Sequence, residues 1–349
     1  SSSPEKSKQQ GQDLFLDSSR VYASFQEMAE KEARLPEGER IDFVSIVTPN
    51  NVHYPAAKTF LEAGFNIVCD KPMTTTVEEA EDLVRLVKKH DAIFVLTHNY
   101  TGYPMVKQAR AMIKEGKIGT VRKMVVEYPQ GWLATAIDAE GAKQAAWRTD
   151  PAQAGVSSCV GDIGSHAENL ARYISGLEIE SLIADLTTFV PGRRLEDDAN
   201  LLIQYKGGAR AVLYASQIAV GEENGLAIRI YGDAGKLEWH QENPNYMVYQ
   251  PIGEPMQVWG RGNDYVWPVA ANNSRTPFGH PEGFLEAFAN IYKNGASTIA
   301  AKIAGEKPDE SALDFPTVED GATGVHFIHK AVESGKKRAW VDASYTPPA

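Results

Sequence analysis

The chain has 349 residues, of which 43% are hydrophobic and 23% are charged. This balance is typical of a folded globular protein and excludes a disordered one. Lys and Arg number 35 against 46 Asp and Glu, so the formal net charge is −11. An acidic surface repels a phosphate backbone, which argues against nucleic acid as a partner but leaves room for a local basic pocket.

The cysteine count, the apolar runs and the length of the chain indicate its cellular compartment and its number of domains. The only cysteines are Cys69 and Cys159, too few for a disulfide framework, so we expect a reducing compartment and a cytoplasmic protein. No apolar run approaches the roughly 20 residues that cross a bilayer, and we expect no membrane partner. At roughly 100–200 residues per domain, the length predicts two domains.

Residues 42–97 alternate between short apolar runs and amphipathic stretches, a pattern typical of alternating strands and helices. The predicted elements are a helix over 21–33, a strand over 43–47, a helix from about His53 to the turn at Gly64, a strand over 66–69, a helix that Thr76 and Glu79 cap, and a strand over 92–96. This order predicts a doubly wound parallel sheet with right-handed crossovers. Because ligands bind beyond the carboxyl ends of such strands, the loops 48–53, 69–73 and 97–103 are expected to form the functional edge.

From about residue 120 the pattern changes to consecutive strands joined by turns. Strands are predicted over 121–128, 179–190, 199–205, 210–218, 226–231, 236–240 and 246–249, and helices over 164–174, 281–295 and 318–335. Short connections between consecutive strands predict an antiparallel meander. We therefore assign residues 1–119 to an α/β domain and residues 120–349 to an α+β domain with an open, mainly antiparallel sheet. Such a sheet needs a cover on its second face, so a homo-oligomer, either a dimer or a tetramer, is expected.

The first candidate site residue is Lys71, in the turn Asp70-Lys71-Pro72. At the carboxyl end of a parallel strand its ammonium can donate to a substrate hydroxyl or carbonyl and stabilise negative charge on that oxygen. A lysine on a solvated loop is the plainer interpretation, and a lone Lys-Pro pair favours it.

The second candidate is the pair Asp162 and His166, four residues apart at a helix start and therefore on one face. A helix N-terminus keeps a carboxylate charged and an imidazole neutral. A neutral imidazole beside an aspartate can take a proton from an alcohol. The alternative, an aspartate cap next to a packing histidine, is supported equally by the residues alone.

Weaker candidates lie in two further segments. Trp147 and Arg148 offer a ring and a planar cation that can clamp a sugar or a phosphate, although a packed boundary loop would carry the same residues. The loop 98–104 offers hydrogen-bonding side chains at the third strand end, as any polar turn does. His326 and His329 have no evident third ligand, so no metal is expected.

Four segments occur in order along the chain: Thr48–His53, Asp70–Pro72, Trp147–Pro151 and Asp162–His166. Together they resemble the motifs of the Gfo/Idh/MocA oxidoreductases, the family of glucose–fructose oxidoreductase and inositol dehydrogenase, over nearly the whole chain. The resemblance implies a Rossmann-type first domain that binds NAD or NADP, with NAD preferred. It also implies a sugar, cyclic polyol or glycoside on the second domain's sheet. The expected reaction is hydride transfer between the nicotinamide and a substrate hydroxyl or carbonyl.

The resemblance also implies roles for individual residues. Lys71 would bridge the nicotinamide ribose and the reacting oxygen, Asp162 would orient the substrate hydroxyls, and His166 would accept the hydroxyl proton. The other cofactor contacts are expected from Thr48, Pro49, Asn50, His53, Asp70, Asn99, Trp147 and Arg148. The other substrate contacts are expected from Tyr100, Tyr103, Tyr128 and Trp132, whose rings suit the apolar face of a sugar.

Two features depart from the family pattern. Asp70 stands where the family usually has a glutamate, one methylene longer, which alters contact with the ribose. No G-x-G-x-x-G phosphate loop occurs in the 349 residues, and the segment 1–6 resembles the stretch after the family's second strand. We therefore expect a glycine-rich strand–helix–strand unit of roughly 30 residues or more to precede this sequence. Two alternatives stay open: an enzyme that recycles NAD while cleaving a glycoside, and a non-catalytic ligand-binding protein if the natural chain starts at Ser1.

Overall fold

The first layer of the molecule is a parallel sheet of three strands in the order β1-β2-β3. The structure, a computed structural model, describes residues 3–349. The strands are β1 (Phe43–Ile46), β2 (Asn66–Cys69) and β3 (Phe94–Leu96). The helices of this part are α1 (Pro4–Asp13), α2 (Phe25–Glu32), α3 (Asn50–Glu62) and α4 (Val77–Lys89). The predicted parallel unit is confirmed.

Local chemistry explains the boundaries of the crossover helices. Helix α4 begins where the Thr76 hydroxyl accepts a hydrogen bond from the backbone N–H of Glu79 at 3.2 Å. The Glu79 carboxylate bonds Thr75 and not Thr76, so the expected reciprocal cap is displaced by one residue. Helix α3 begins at Asn50, before the expected His53, and the chain leaves it through Gly64 at a φ of +84°, a conformation that glycine adopts without strain.

The second layer is a sheet of nine strands in the order β11-β10-β9-β8-β4-β7-β6-β5-β12. Its strands are β4 (Val121–Pro129), β5 (Ile179–Thr187), β6 (Asp198–Tyr205), β7 (Arg210–Ser216), β8 (Ala227–Gly232), β9 (Gly235–His240), β10 (Tyr246–Pro251), β11 (Gln257–Gly260) and β12 (Val341–Asp342). The mainly antiparallel sheet is confirmed.

A simple meander, however, is wrong. Strand β4 lies between β7 and β8, parallel to β7 and antiparallel to β8. The reason is the connection over 217–226, which is too long for a tight hairpin and lets the chain pass around β4. That detour carries residues to the site described below.

The helices of the second part cover the inner face of this sheet and one edge of the first. They are α5 (Pro104–Lys114), α6 (Lys143–Arg148), α7 (Pro151–Ala154), α8 (Ser165–Ser175), α9 (Pro268–Ala271), α10 (Phe284–Ile303) and α11 (Val318–Lys337). Helix α5 has no counterpart among the predicted elements, although Pro104 at its first position is a typical helix-start signal.

Helix α11 ties the two sheets together. Its first half contributes Val318, Ala322 and Val325 to the core beneath the parallel sheet. Its second half contributes Phe327 and Ile328 to the core beneath the large sheet. Shared burial of one helix fixes the parallel sheet's carboxyl edge against the start of α8. Within residues 3–349, no helix combines the length and the apolarity needed to cross a membrane.

Candidate active site

A cleft of about 920 Å³ lies between the carboxyl ends of the parallel strands and the start of α8. The residues expected at the site that line it are Thr48, Pro49, Asn50, His53, Asp70, Lys71, Asn99, Tyr100, Tyr128, Trp132, Trp147, Arg148, Asp162 and His166. Thus all three loops of the predicted functional edge meet one cavity, and Lys71 from the first sheet shares it with His166 from the second part.

Tyr103 is placed elsewhere. Its ring is buried behind Tyr100, parallel to it with centroids 6.2 Å apart, and packs on Trp239. Tyr100 belongs to a short turn of 3-10 helix, Asn99–Gly102, whereas Tyr103 is the residue from which α5 starts. The change of backbone direction turns Tyr103 away from the cleft wall.

Lys71 and Asp162 form an ion pair across the cleft. The Lys71 ammonium donates to a carboxylate oxygen of Asp162 at 2.9 Å and also to its backbone carbonyl oxygen. Asp162 lies in a π-helical turn, Val160–Gly164, that leads directly into α8; such turns are frequent at functional sites. The side chains of Lys71 and Asp162 are only 15% and 18% exposed, which does not fit a solvated loop lysine.

The remaining carboxylate oxygen of Asp162 is held by two more groups. Gln217 donates to it at 2.9 Å, and the Arg148 guanidinium lies 3.2 Å from it. Burial alone would raise the pKa of Asp162, but Lys71 and Arg148 outweigh burial and hold that pKa below its ordinary value. Asp162 is therefore a fixed anion beside the cavity.

His166 has a different partner from the expected one. Its Nδ1 lies 3.4 Å from Nδ1 of His98, and the two rings are nearly perpendicular. The oxygens of Asp162 are taken by two cations and an amide, which bind a carboxylate more strongly than a neutral imidazole does. Burial lowers the pKa of His166 well below its ordinary value, and the Lys71 charge and His98 lower it further. The ring is neutral, as expected, and it is 8% exposed on the cleft.

On the side of the parallel strands, His53 and Asp70 hold loops together. The two ring nitrogens of His53 each lie 2.8 Å from a backbone carbonyl oxygen, those of Pro72 and Thr48. The Asp70 carboxylate accepts a hydrogen bond from the Thr97 hydroxyl at 2.6 Å. The three strand ends that face the cavity are thereby linked to one another.

On the opposite side, Trp147 and Arg148 lie in the last turn of helix α6. The Arg148 guanidinium lies over the Trp147 ring at 4.2 Å and 5.8 Å from the Trp132 ring centre. Asn50, the first residue of α3, donates to the backbone carbonyl of Ala154 at 3.0 Å. The Arg148 guanidinium and the rings of Trp147 and Trp132 together form one wall of the cleft.

A polar and aromatic wall closes the far end. The Tyr128 hydroxyl donates to the Asn224 side-chain oxygen at 2.7 Å, and Gln130 donates to the same oxygen at 2.8 Å. The hydroxyls of Tyr100 and Tyr128 are hydrogen-bonded to each other, and Trp132 donates to Gln130 at 3.1 Å. Rings with polar tips suit a ligand that has both apolar faces and hydroxyls.

Three site residues were absent from the sequence-based candidates: Gln217, Asn224 and His98. Asn224 lies in the connection between the predicted strands 210–218 and 226–231, and the length of that connection was the available signal. Gln217 fell inside the predicted strand 210–218, but β7 ends at Ser216. His98 stands in the loop 98–104, but no spacing rule pairs it with His166, because the contact joins positions far apart in the chain.

Comparison with known proteins agrees with this architecture. Residues 2–98 match the model of the oxidoreductase family with an NAD-binding Rossmann fold, and residues 106–238 match that of the GFO/IDH/MocA C-terminal domain. The chain is 36% identical to YfiI, an uncharacterised oxidoreductase of Bacillus subtilis, over 97% of this chain and 86% of that one. It is 26% identical to the levoglucosan dehydrogenase of Pseudarthrobacter phenanthrenivorans, over 86% of this chain and 80% of that one.

Solved structures show the same relationship. An inositol dehydrogenase homologue from Azotobacter vinelandii, complexed with NAD⁺, is 34% identical with a TM-score of 0.92, over 97% of this chain and 87% of that one. Its complex with NADH and myo-inositol gives 33% identity and a TM-score of 0.89. Fold and matches together define an oxidoreductase with an NAD-binding Rossmann domain. The chain belongs to the Gfo/Idh/MocA family.

The residues of the cleft fit a nicotinamide dinucleotide. The Asn99 side-chain nitrogen, on the strand side of the cleft, is buried without a hydrogen-bond partner among residues 3–349, and an acceptor on a bound ligand would satisfy it. Although the chain carries a net charge of −11, the charged residues that line the cleft are four cations and two anions: Lys6, Lys71, Lys143, Arg148, Asp70 and Asp162. This local excess of positive charge suits a pyrophosphate.

Proposed function

We propose that this oxidoreductase is an NAD(P)-dependent dehydrogenase or reductase that acts on a hydroxyl or carbonyl of a sugar or cyclic polyol, with NAD as the preferred cofactor. The observation that carries the proposal is the meeting of Lys71, Asp162 and His166 on one cleft. A cationic donor, a fixed anion and a neutral imidazole are the groups that oxidation of an alcohol requires.

Asp162, Lys71 and His166 each have a different role in the proposed reaction. Asp162, held as an anion by Lys71 and Arg148, accepts hydrogen bonds from substrate hydroxyls and sets their orientation. Lys71 donates to the reacting oxygen and stabilises negative charge that develops there. His166 takes the hydroxyl proton in oxidation and returns it in reduction. A nicotinamide held in this cleft would supply the hydride acceptor for oxidation and the hydride donor for reduction. Thr48, Asp70 and Asn99 are its proposed contacts on the strand side.

The substrate class is supported by the far wall and by the relatives. Tyr100, Tyr128 and Trp132 offer rings, while Asn224 and Gln130 offer amides, a combination that recognises a ring with several hydroxyls. Of the relatives named above, one is a levoglucosan dehydrogenase and another was crystallised with NADH and myo-inositol. NAD⁺ or NADH occupies the Azotobacter structures, which supports NAD over NADP.

The test is a panel of inositols, aldoses, anhydrosugars and glycosides, each mixed with the protein and NAD⁺ or NADP⁺ while the absorbance of reduced nicotinamide is followed. At least one cyclic polyol or sugar is expected to yield NADH. Release of aglycone without net NADH would instead support the enzyme that recycles its cofactor. No turnover, together with no dinucleotide binding by calorimetry, would support a ligand-binding protein.

We also propose that the protein is a homo-oligomer, a dimer or a tetramer. The outer face of the nine-stranded sheet leaves Leu202 on β6, Tyr246 on β10 and Val258 on β11 about half exposed, and exposed apolar side chains on an uncovered sheet face favour association. Light scattering on the wild type and on Leu202→Lys tests this: the wild type should exceed the monomer mass and the variant should fall toward it. A wild-type protein of monomer mass would refute the proposal.

A further inference from the structure

We propose that His98 is a positioning residue for the proposed reaction: it decides which nitrogen of His166 carries the hydrogen and so which nitrogen receives the substrate proton. The proposal rests on the proposed function for its catalytic meaning. Its structural content, one tautomer of His166 fixed by one neighbour, stands independently of any substrate.

The geometry begins with the end of β3. His98 follows Leu96 and Thr97 in the loop at the carboxyl edge, and its side chain is 2% exposed. Its Nδ1 faces Nδ1 of His166 at 3.4 Å, with ring centroids 5.2 Å apart and planes at 84°. A hydrogen bond between two ring nitrogens requires one to donate and the other to accept.

Two arrangements satisfy that requirement, and only one leaves His166 able to act as a base toward the cleft. If His166 carries its hydrogen on Nδ1 and donates to His98, then Nε2 of His166 has a free lone pair. If His98 donates instead, a neutral His166 must carry its hydrogen on Nε2 and can accept nothing there. The first arrangement matches the proposed reaction, and it needs His98 to stay neutral with an unprotonated Nδ1.

The surroundings of His98 keep it neutral. Burial lowers the pKa of His98 to about 3, with Lys71 and Arg172 adding to the effect and Asp320 opposing it. These charges face it from the loop after β2, from α8 and from α11. Arg172 is itself paired with Asp320 at 2.7 Å and with Glu168 at 2.9 Å, so Asp320 is already committed to a cation.

The other neighbours of His166 have roles different from that of a hydrogen-bond acceptor for its Nδ1. The rings of Tyr100 and Tyr128 contact it at centroid distances of 4.8 and 6.3 Å, and their hydroxyls are bonded to each other. Lys71 and Asp162 are bonded to each other as well. These groups fix the tilt of the imidazole and its electrostatic environment. His98 supplies the acceptor for its inner nitrogen.

The same contact also assists proton transfer. Once Nε2 of His166 has received a proton, the ring is an imidazolium with hydrogens on both nitrogens. Its Nδ1–H still points at the lone pair of His98, and a hydrogen bond from a charged donor is about twice as strong as a neutral one. The contact between the two rings is therefore kept through the proton transfer, and His166 does not have to change its orientation.

The test compares His98→Leu with His98→Asn, two side chains of nearly equal shape. Asparagine places an acceptor oxygen where Nδ1 of histidine lies, and leucine places a methyl group there. The first readout is the tautomer of His166 in long-range ¹H–¹⁵N spectra, with the signal assigned by its loss in His166→Gln. Wild type and His98→Asn are expected to show the Nδ1–H form, and His98→Leu the Nε2–H form or a mixture.

The second readout is kinetic. His98→Leu should lower kcat for alcohol oxidation by about ten- to a hundredfold, within the range of general-base effects, and His98→Asn should recover most of it. The dissociation constant for NAD⁺ by calorimetry should be unchanged in both.

Each result decides something. An unchanged Nδ1–H tautomer in His98→Leu, or His98→Asn no better than His98→Leu in both readouts, would overturn the proposal. A wild-type protein that turns over no substrate while the tautomers behave as expected would refute the proposed function and leave the positioning role intact. If His98→Leu does not fold, His98→Gln replaces it, since glutamine carries its amide one bond further out and is expected to give the leucine result.

Discussion

Two lysine–aspartate pairs in this molecule have the same chemistry and opposite surroundings. Lys71 and Asp162 face the cleft with 15% and 18% of their side chains exposed. Lys107 and Asp314 join α5 to the loop before α11, with 0% and 14% exposed and 2.6 Å between the charged atoms. The first pair borders a cavity, and the second is enclosed by protein.

The partners of the second pair explain its structural character. Arg110 and Tyr173 both donate to the Asp314 carboxylate at 2.8 Å, and Lys107 also reaches the backbone carbonyl of Asp314 at 3.2 Å. Burial would raise the pKa of Asp314, but Lys107 and its other donors outweigh burial and lower it. A pair that is satisfied on all sides holds elements together. A pair that opens onto a cavity can exchange its partner for a ligand, which is the difference that separates the two functions.

Replacement of Lys71 gives the largest expected effect. Lys71→Met removes the donor to the reacting oxygen and should lower kcat/KM by about a thousandfold or more. Asp162 keeps Arg148 and Gln217 as partners, so the free energy of unfolding should change by only about 1 kcal/mol. Steady-state rates and urea unfolding measure the two quantities. A large loss of stability with little loss of rate would reverse the assignment of this pair.

The matched control is Lys107→Met, with the opposite expectation. It leaves a buried carboxylate without its enclosed cation and should lower the free energy of unfolding by about 3 kcal/mol, the low end of the range for a broken buried pair, because Arg110 and Tyr173 remain. Specific activity of the folded fraction should be unchanged. A catalytic defect as large as that of Lys71→Met would contradict the division between the two pairs.

A smaller effect is expected from replacing Tyr128, which lines the cleft, and no effect from replacing Tyr103, which lies behind the cleft wall. Tyr128→Phe removes the hydroxyl that donates to Asn224 and should lower kcat/KM by about tenfold, the value of one lost hydrogen bond. Tyr103→Phe removes a hydroxyl that accepts a hydrogen bond from Gln241 behind the wall, and its rates should match the wild type. Equal losses of kcat/KM in both variants would contradict the placement of Tyr128 on the cleft and of Tyr103 behind its wall.

The fold could be predicted from the sequence because the signals for its strands and helices are local. The apolar runs at Phe43–Ile46 and Asn66–Cys69 and the cap at Thr76 are each set by neighbours in the chain. Since carboxyl ends of parallel strands share one edge, the loops after these strands could be expected to meet. The insertion of β4 between β7 and β8 could not be expected, because strand periodicity does not name a strand's partner.

The site residues also differ in whether a local signal in the sequence could identify them. Lys71 could be proposed because a strand end and a proline fix its position. Its pairing with Asp162 joins distant segments and became visible only in the fold. The sequence places Tyr100 and Tyr103 in one loop, and the start of α5 separates them in space. His98 lay in that loop too, but its importance depends on which nitrogen faces His166, a property that no sequence pattern encodes.

The smallest expected effect concerns pH, and it sharpens the comparison between cleft and enclosed pair. Buried His98 stays neutral with a pKa of about 3, whereas in the unfolded chain a histidine takes a proton near pH 6.5. The unfolded state therefore binds more protons below that pH, so stability from His98 is present above about pH 6.5 and is lost as the pH falls toward 3. Between about pH 7 and 5.5 this loss is about 1 kcal/mol for one such histidine.

His98→Asn should remove that share of the decline, so its unfolding free energy should fall less steeply with acid than that of the wild type. Tyr103→Phe should run parallel to the wild type over the same interval, because burial raises the pKa of Tyr103 to about 12 and its hydroxyl does not titrate there. Urea unfolding at a series of pH values gives the slopes. A His98→Asn curve parallel to the wild type would mean that His98 takes up its proton at the same pH in the folded and the unfolded protein, which would contradict a pKa lowered by burial.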